Sequence, residues 1–102
     1  MQIQLLAPQT GAATKVEFNT FGMDKCTIAA SGLAGAERVD LFRNVNGTWV
    51  PVVTSAGVAV QLAPAGTAPG PSWELPGGAI YAFDKAITVA ASGVNLSFVP
   101  NT

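Results

Sequence analysis

The chain has 102 residues, of which 49% are hydrophobic and only 11% charged, and it contains no histidine. A chain of this length buries one hydrophobic core, so we predict a single domain over residues 1–102. Without histidine it lacks the usual base of Ser-His and Cys-His nucleophiles, and its five scattered Lys and Arg residues do not form the basic surface that nucleic-acid binding requires.

The first thirteen residues, MQIQLLAPQTGAA, do not resemble a targeting segment. They lack the positively charged start and the long apolar stretch of a signal peptide. No run in the chain reaches the roughly 18–20 apolar residues that cross a bilayer. We therefore expect no membrane contact and synthesis in a cytoplasm. We interpret residues 1–13 as an N-terminal arm whose Leu5 and Leu6 dock on this subunit or on another.

Short alternating strands dominate the middle of the chain. Val16 and Phe18 alternate with charged residues in KVEF, and CTIAA follows a Gly-containing turn. The strands RVDLFR and TWVPVV flank NVNG, and Asn46-Gly47 readily adopts the positive φ of a tight hairpin turn. Pro51 lacks a backbone donor, which places the second hairpin strand at a sheet edge or in a bulge.

The same pattern continues toward the C-terminus. Val58, Val60 and Leu62 share one face of VAVQL, and AIYAF, ITVAA and VNLSFV each have the composition of a strand. The only helical signal is one turn at Ala34–Glu37. Short strands separated by Gly, Pro and Asn turns predict an all-β domain, either an antiparallel β-sandwich or a small β-barrel.

One segment interrupts this rhythm. APAGTAPGPS, residues 63–72, contains three prolines and two glycines and is predicted to be an irregular loop. It is either an ordinary connection between sheets or an arm that reaches a neighbouring subunit through Pro69 and Pro71. In the second case Trp73, which follows directly, anchors the arm by its ring.

Little in the sequence indicates catalysis. A lone Cys26 makes neither an internal disulfide nor a zinc site, and its strand context predicts a buried, unreactive thiol. Glycosidases need two carboxylates about 5–10 Å apart, so a carboxylate-dependent hydrolase stays open as an alternative. Most carboxylates lie beside Lys or Arg or at turns, where we expect solvated or ion-paired groups and therefore no enzyme, metal or cofactor site. The six are Glu17, Asp24, Glu37, Asp40, Glu74 and Asp84.

Several aromatic residues alternate out of phase with the aliphatic residues of their strands. Phe42 does so in RVDLFR, and Tyr81 and Phe83 do so in AIYAF. Because only one face of each sheet of a sandwich meets the core, the other face needs cover from a loop or from a partner. If a partner covers it, the candidate interface residues are Leu5, Leu6, Phe42, Trp49, Pro69, Pro71, Trp73, Tyr81 and Phe83.

The phrases SGLAGAERVDLF, NGTWVPV, GVAVQL and GGAIYAFDKAITVAASGVNLSFV resemble small β-sandwich virion proteins of tailed bacteriophages, best over residues 31–62. This resemblance implies a capsid decoration or cement protein, bound to the major capsid protein or another virion protein as a homo-oligomer. The protein would then reside in the virion after assembly in the host bacterial cytoplasm. The charged fraction, below the typical value of about 25%, is in keeping with a surface packed against neighbours.

A carbohydrate- or receptor-binding β-module of a phage tail or adhesin is the alternative. Trp49, Trp73 and Tyr81 would supply ring platforms for a sugar, and Glu74 or Asp84 would accept hydrogen bonds from its hydroxyl groups. An exposed aromatic row beside acidic groups distinguishes this alternative from the decoration protein.

Overall fold

Nine β-strands form two antiparallel sheets in the computed structural model of the chain, which describes residues 1–100. The sheets pack face to face, which confirms the predicted all-β fold as a sandwich. The strands are β1 (Gln2–Gln9), β2 (Ala13–Asn19), β3 (Met23–Ala30), β4 (Val39–Val45), β5 (Thr48–Pro51), β6 (Gln61–Leu62), β7 (Ser72–Leu75), β8 (Ile80–Lys85) and β9 (Ser92–Pro100).

The two sheets are assembled from strands that are distant in sequence. The first sheet has the order β1-β9-β3-β7, and the second has the order β2-β8-β4-β5, with β6 also paired to β4. Among the strand pairs of residues 1–100, β4 and β5 are the only neighbours consecutive in the chain. β5 and β6 both lie on the side of β4 opposite β8. Long-range pairing therefore decides most of the architecture.

The β4–β5 hairpin forms where the sequence predicts it. Asn46 and Gly47 have φ values of 53° and 84°, which the positive-φ turn requires, and the Gly47 N–H donates to the Asn44 side chain at 3.0 Å. β5 is an edge strand, and Pro51 pairs with Phe42 there without needing a backbone donor. Both predictions about this hairpin are confirmed.

The core contains an aromatic cluster that corrects the predicted phase of β8. Tyr81 and Phe83 face inward and are almost fully buried, whereas Ile80 faces outward and is 38% exposed. Their rings meet Phe18 of β2, with centroid distances of 5.8 Å to Tyr81 and 6.4 Å to Phe83. The large rings lie on the core side because they remove more apolar surface from water than Ile80 and Ala82, which alternate with them along the strand. Both rings therefore belong to the core face of this sheet.

Cys26 lies in the core of the first sheet. It is 1% exposed, and its Sγ lies 3.0 Å from the Leu75 carbonyl oxygen. Burial raises the pKa of the Cys26 thiol, and the negative charge of Glu74 raises it further. The prediction of a buried cysteine is confirmed, and its neutral thiol is the less reactive form.

Other local predictions differ from the structure. ITVAA is a loop between β8 and β9. Ala34–Glu37, in contrast, forms the single turn that the sequence predicts, with the Glu37 N–H donating to the Ala34 carbonyl at 3.1 Å. The sequence predicts that Val58, Val60 and Leu62 share one strand face, but Val58 is 62% exposed whereas Val60 and Leu62 are buried. Residues 86–91 take part in none of the strand pairs, and Val58 directly follows the turn at residues 55–57.

The segment interpreted as an N-terminal arm is mostly a strand of this chain's own sheet. Gln2–Gln9 pairs with β9, and Leu5 and Leu6 are half-buried against the core. Of the two places predicted for these leucines, the structure therefore has them on their own subunit. Alternation of apolar and polar residues is too short in MQIQLLAP to reveal this pairing, because its partner strand lies about ninety residues away.

Candidate interaction surface

On the outer face of the second sheet, Phe42 is covered by a side chain of the same subunit. Lys15 of β2 places its Nζ 3.9 Å from the centroid of the Phe42 ring, a cation–π contact. Asp84 of β8 holds Lys15 in this position, since its two carboxylate oxygens accept from the Lys15 backbone N–H at 2.6 Å and from Nζ at 2.7 Å. Phe42 is therefore half-buried under a lysine rather than presented to a partner.

The charge of Lys15 also sets the acidity of Asp84. Partial burial raises the pKa of this carboxyl, but the two hydrogen bonds and the positive charge of Lys15 outweigh burial and bring the pKa below its ordinary value. The backbone at Lys15 has a φ of 45° within an irregular stretch of the β2–β8 pairing. The local distortion turns the backbone donor and the side chain of one residue toward one carboxylate.

The strand edges carry features that oppose pairing with another strand. Pro8 and two register irregularities interrupt β1, and the irregularity at Lys15 interrupts β2. Pro51 ends β5, and Pro71 and Pro76 flank the four-residue β7. Prolines, bulges and short length are the usual means by which edge strands avoid adding a further strand. Association of this protein is therefore expected to use loops and side chains.

Thirty consecutive residues, 44–73, contain no charged side chain. They comprise β5, a ribbon over Val52–Val60, β6 and the proline-rich loop. In the ribbon, the Val60 N–H donates to the Val52 carbonyl at 2.7 Å and the Thr54 N–H donates to the Val58 carbonyl at 2.8 Å. β5 and β6 lie along one edge of β4, and we call the exposed residues of this run the uncharged face.

Apolar side chains are exposed on the uncharged face. Val53 and Val58 are both exposed on the ribbon, and Pro69 lies across a cavity of about 330 Å³ from Val58. The proline-rich loop is irregular as predicted, and it closes on itself, with the Ala63 N–H donating to the Gly70 carbonyl at 2.9 Å. Pro71 is half-buried at the end of this loop. The loop thus has a compact shape without a neighbouring subunit.

An apolar groove of about 270 Å³ lies between the β4–β5 hairpin and β7. It exists because β4 runs past the opposing sheet: Val39 and Leu41 are buried, whereas Arg43 and Val45 on the same side of the strand are exposed. The principal lining residues are Arg43, Val45, Val50, Val53, Trp73 and Tyr81.

Trp73 and Tyr81 form the inner wall of the groove. Trp73 lies opposite Ile28 in the β3–β7 pair and packs partly against the core. The Tyr81 hydroxyl donates to the Pro76 carbonyl at 3.0 Å. Burial raises the pKa of Tyr81, against the lowering effect of the Arg43 charge, and Cys26 raises it further. The wall is therefore fixed by the core, and Arg43 lies close enough to it to influence Tyr81.

The aromatic residues predicted as a sugar platform do not share one surface. Tyr81 is buried, Trp73 faces the groove, and Trp49 lies opposite Asn44, on the alternate side of β5 from Val50. Both tryptophans are half-buried. The structure therefore does not bring these three rings into a row.

A wider cleft of about 800 Å³ lies at the other end of β8, and Glu37, Asp40 and Asp84 line it. Asp40 and Asp84 are directly opposite in the β4–β8 pair, and Gln61 donates to the Asp40 carboxylate at 2.6 Å. Glu37 accepts from backbone N–H groups. The lowered pKa of Asp84 is unsuited to a general acid, whose pKa must be raised.

Comparisons with known proteins do not assign the chain to a family. No family model, no curated protein and no solved structure matches the chain, and none links it to phage virion proteins. Within residues 1–100, no helix is long and apolar enough to cross a membrane. In that same range, no three Cys, Asp or Glu side chains are grouped so that they could hold a metal ion.

Sequence reasoning missed the most informative part of this surface. Arg43, Val45 and Val50 were not among the candidate residues, because alternation continues through β4 and does not reveal where the opposing sheet ends. The uninterrupted absence of charge over residues 44–73 is the signal in the sequence that would have found the uncharged face.

Proposed function

We propose that this chain is a structural subunit of a bacteriophage particle, of the capsid decoration or cement type, which binds the shell through its uncharged face. The observation that carries the proposal is the run of thirty uncharged residues, which includes the edge strands β5 and β6 and the loops that follow them. Depletion of charge distinguishes the centre of protein interfaces from the rest of a protein surface. The partner is the major capsid protein or another virion protein.

The small amount of exposed apolar surface on the uncharged face agrees with a protein that binds weakly as a single copy and acts in many copies. Full burial of one valine contributes about 1.5–3 kcal/mol, and association costs at least about 4 kcal/mol in lost freedom of motion. Val58 and Pro69 together thus support weak binding by one copy. A small stabilisation per copy becomes a large one when many copies cover the same shell.

The test is sedimentation with particles. Particles are purified from cells that carry the genome encoding this chain, after deletion of its reading frame, and are mixed with the purified protein. We expect the wild-type chain to sediment with the particles at a fixed number of copies and to raise their melting temperature. Val58→Asp, which places a charge on the uncharged face, is expected to reduce binding at least tenfold.

Val99→Asp is the matched control, because Val99 of β9 is exposed to a similar degree but lies outside the uncharged face. It is expected to bind like the wild type. Absence of the chain from particles that retain the intact genome contradicts the proposal. Equal loss of binding in the two variants contradicts the assignment of the uncharged face.

A further inference from the structure

The loop over residues 86–91 presents two apolar side chains to solvent at the end of the sandwich where β8 ends. Ile87 is 75% exposed and Val89 is 92% exposed, whereas Thr88 between them is 4% exposed. Exposure of a branched aliphatic side chain to water is unfavourable. The two exposed side chains on this loop form a small apolar projection. Thr88 is buried and fixes the loop to the domain, while the residues on either side of it are exposed.

Hydrogen bonds hold this loop in one conformation. The Thr88 N–H donates to the Thr10 carbonyl at 2.9 Å, and the Thr88 hydroxyl donates to the Ala90 carbonyl at 2.7 Å. The Val89 N–H donates to Oε2 of Glu37 at 2.8 Å. A loop that is already ordered loses little conformational freedom when it binds, which favours its use as a contact.

The projection carries a carboxylate at its base. Glu37 accepts the Val89 N–H at Oε2 and the Ala34 N–H at Oε1, and each oxygen has a further lone pair for another donor. The neighbouring Arg38 donates instead to the backbone carbonyls of Gly35 and Glu37. The loop thus combines two apolar side chains with an acceptor of negative charge.

The apolar groove at the opposite end of β8 has the complementary properties. It is lined by Trp73, Val50 and Val45, and its one charged residue is Arg43. Within residues 1–100 no carboxylate lies within salt-bridge distance of Arg43. Its cavity of about 270 Å³ is slightly smaller than the sites that hold small-molecule ligands, and is suited to a few side chains.

We propose that the 86–91 loop of one copy docks in the apolar groove of the next, with Ile87 and Val89 against Trp73 and Glu37 facing Arg43. Because the contact joins two different surfaces of the chain, it is heterologous, and its repetition produces rings or open chains. This lateral contact deepens the proposed function, on which its biological setting rests. The contact itself is a property of the isolated chain.

Sedimentation equilibrium of the purified chain tests the contact. The weight-average mass of the wild type is expected to rise through dimer and larger species between about 0.02 and 1 mM, the range of weak transient association. The double variant Ile87→Ser/Val89→Ser removes the projection, and Arg43→Glu places like charge against Glu37. Each is expected to remain monomeric over this range. Val99→Ser, an exposed change elsewhere, is expected to associate like the wild type.

Mixing the two defective variants distinguishes this contact from other modes of association. One has an intact groove and the other an intact loop, so an equimolar mixture is expected to form a heterodimer and nothing larger. A wild type that stays monomeric at 1 mM overturns the proposal, as does association that both variants retain. Circular dichroism of each variant establishes that it is folded, and none of these results depends on binding to a particle.

Discussion

The two faces of the second sheet treat aromatic residues in different ways. On the inner face, Phe18, Tyr81 and Phe83 are buried against one another and against the opposing sheet. On the outer face, Phe42 is covered by the ammonium group of Lys15, which Asp84 holds in place. On both faces the rings are shielded from water. On the inner face other apolar side chains shield them, and on the outer face the Lys15–Asp84 ion pair does.

This difference shows where the protein remains free to interact. A sheet whose outer ring is already covered within the chain offers no large apolar patch at its centre. Val58 of the uncharged face and Ile87 and Val89 of the loop over residues 86–91 are among the most exposed apolar side chains, and all three lie outside the strands. Each of the two proposed contacts therefore uses a connection between strands.

The largest expected effect separates the two sides of β8. Phe83→Ala opens a cavity in the aromatic cluster and should lower the free energy of unfolding by about 3–5 kcal/mol. Ile80→Ala, three residues earlier on the outward side, should lower it by less than about 1 kcal/mol. Urea unfolding followed by tryptophan fluorescence measures both. Similar losses in the two variants would contradict the inward orientation of the rings.

A smaller effect concerns the ion pair on the outer face. Asp84→Asn keeps an oxygen for the Lys15 backbone N–H but removes the charge, and it should lower the free energy of unfolding by about 1 kcal/mol at pH 7. The pKa of Asp84 is lower in the folded chain than its ordinary value of 3.8. The wild type therefore has this stability above pH 3.8 and loses it as the pH falls through the lower, folded pKa.

Unfolding curves of the wild type and the Asp84→Asn variant from pH 7 to pH 2 test this sign. The difference between them should be constant near neutral pH and shrink below about pH 4. A difference that grows as the solution becomes more acidic would mean that the pKa of Asp84 is raised, and the described role of Lys15 would be incorrect.

The smallest effect is the direct contact between Lys15 and the Phe42 ring. A double-mutant cycle with Lys15→Met and Phe42→Leu, which keep apolar bulk at both positions, should give a coupling energy of about 0.5–1 kcal/mol. The same cycle with Lys15→Met and Trp49→Leu serves as the control and should give a coupling energy close to zero. Equal couplings in the two cycles would indicate that Lys15 does not cover Phe42 specifically.

Much of the fold was predictable because it depends on short-range chemistry. The Asn46-Gly47 turn, the edge position of Pro51 and the irregular proline-rich loop each follow from the backbone preferences of a few residues. Cys26 was correctly predicted to be buried from the apolar character of its strand. Of the candidate site residues, Pro69 is exposed on the uncharged face and Trp73 lines the groove, whereas the surface around Arg43 was not foreseen.

The sequence by itself determined that this protein is all-β, where its clearest hairpin turns, and that a thirty-residue segment carries no charge. Only the tertiary structure decided that Tyr81 and Phe83 face the core, that Lys15 meets Asp84 across 69 positions of sequence, and that the groove remains open beside Arg43. The physical reason is that alternation along a strand defines two faces but does not determine which of them is buried. The opposing sheet, built from distant strands, selects which face is buried and where burial stops.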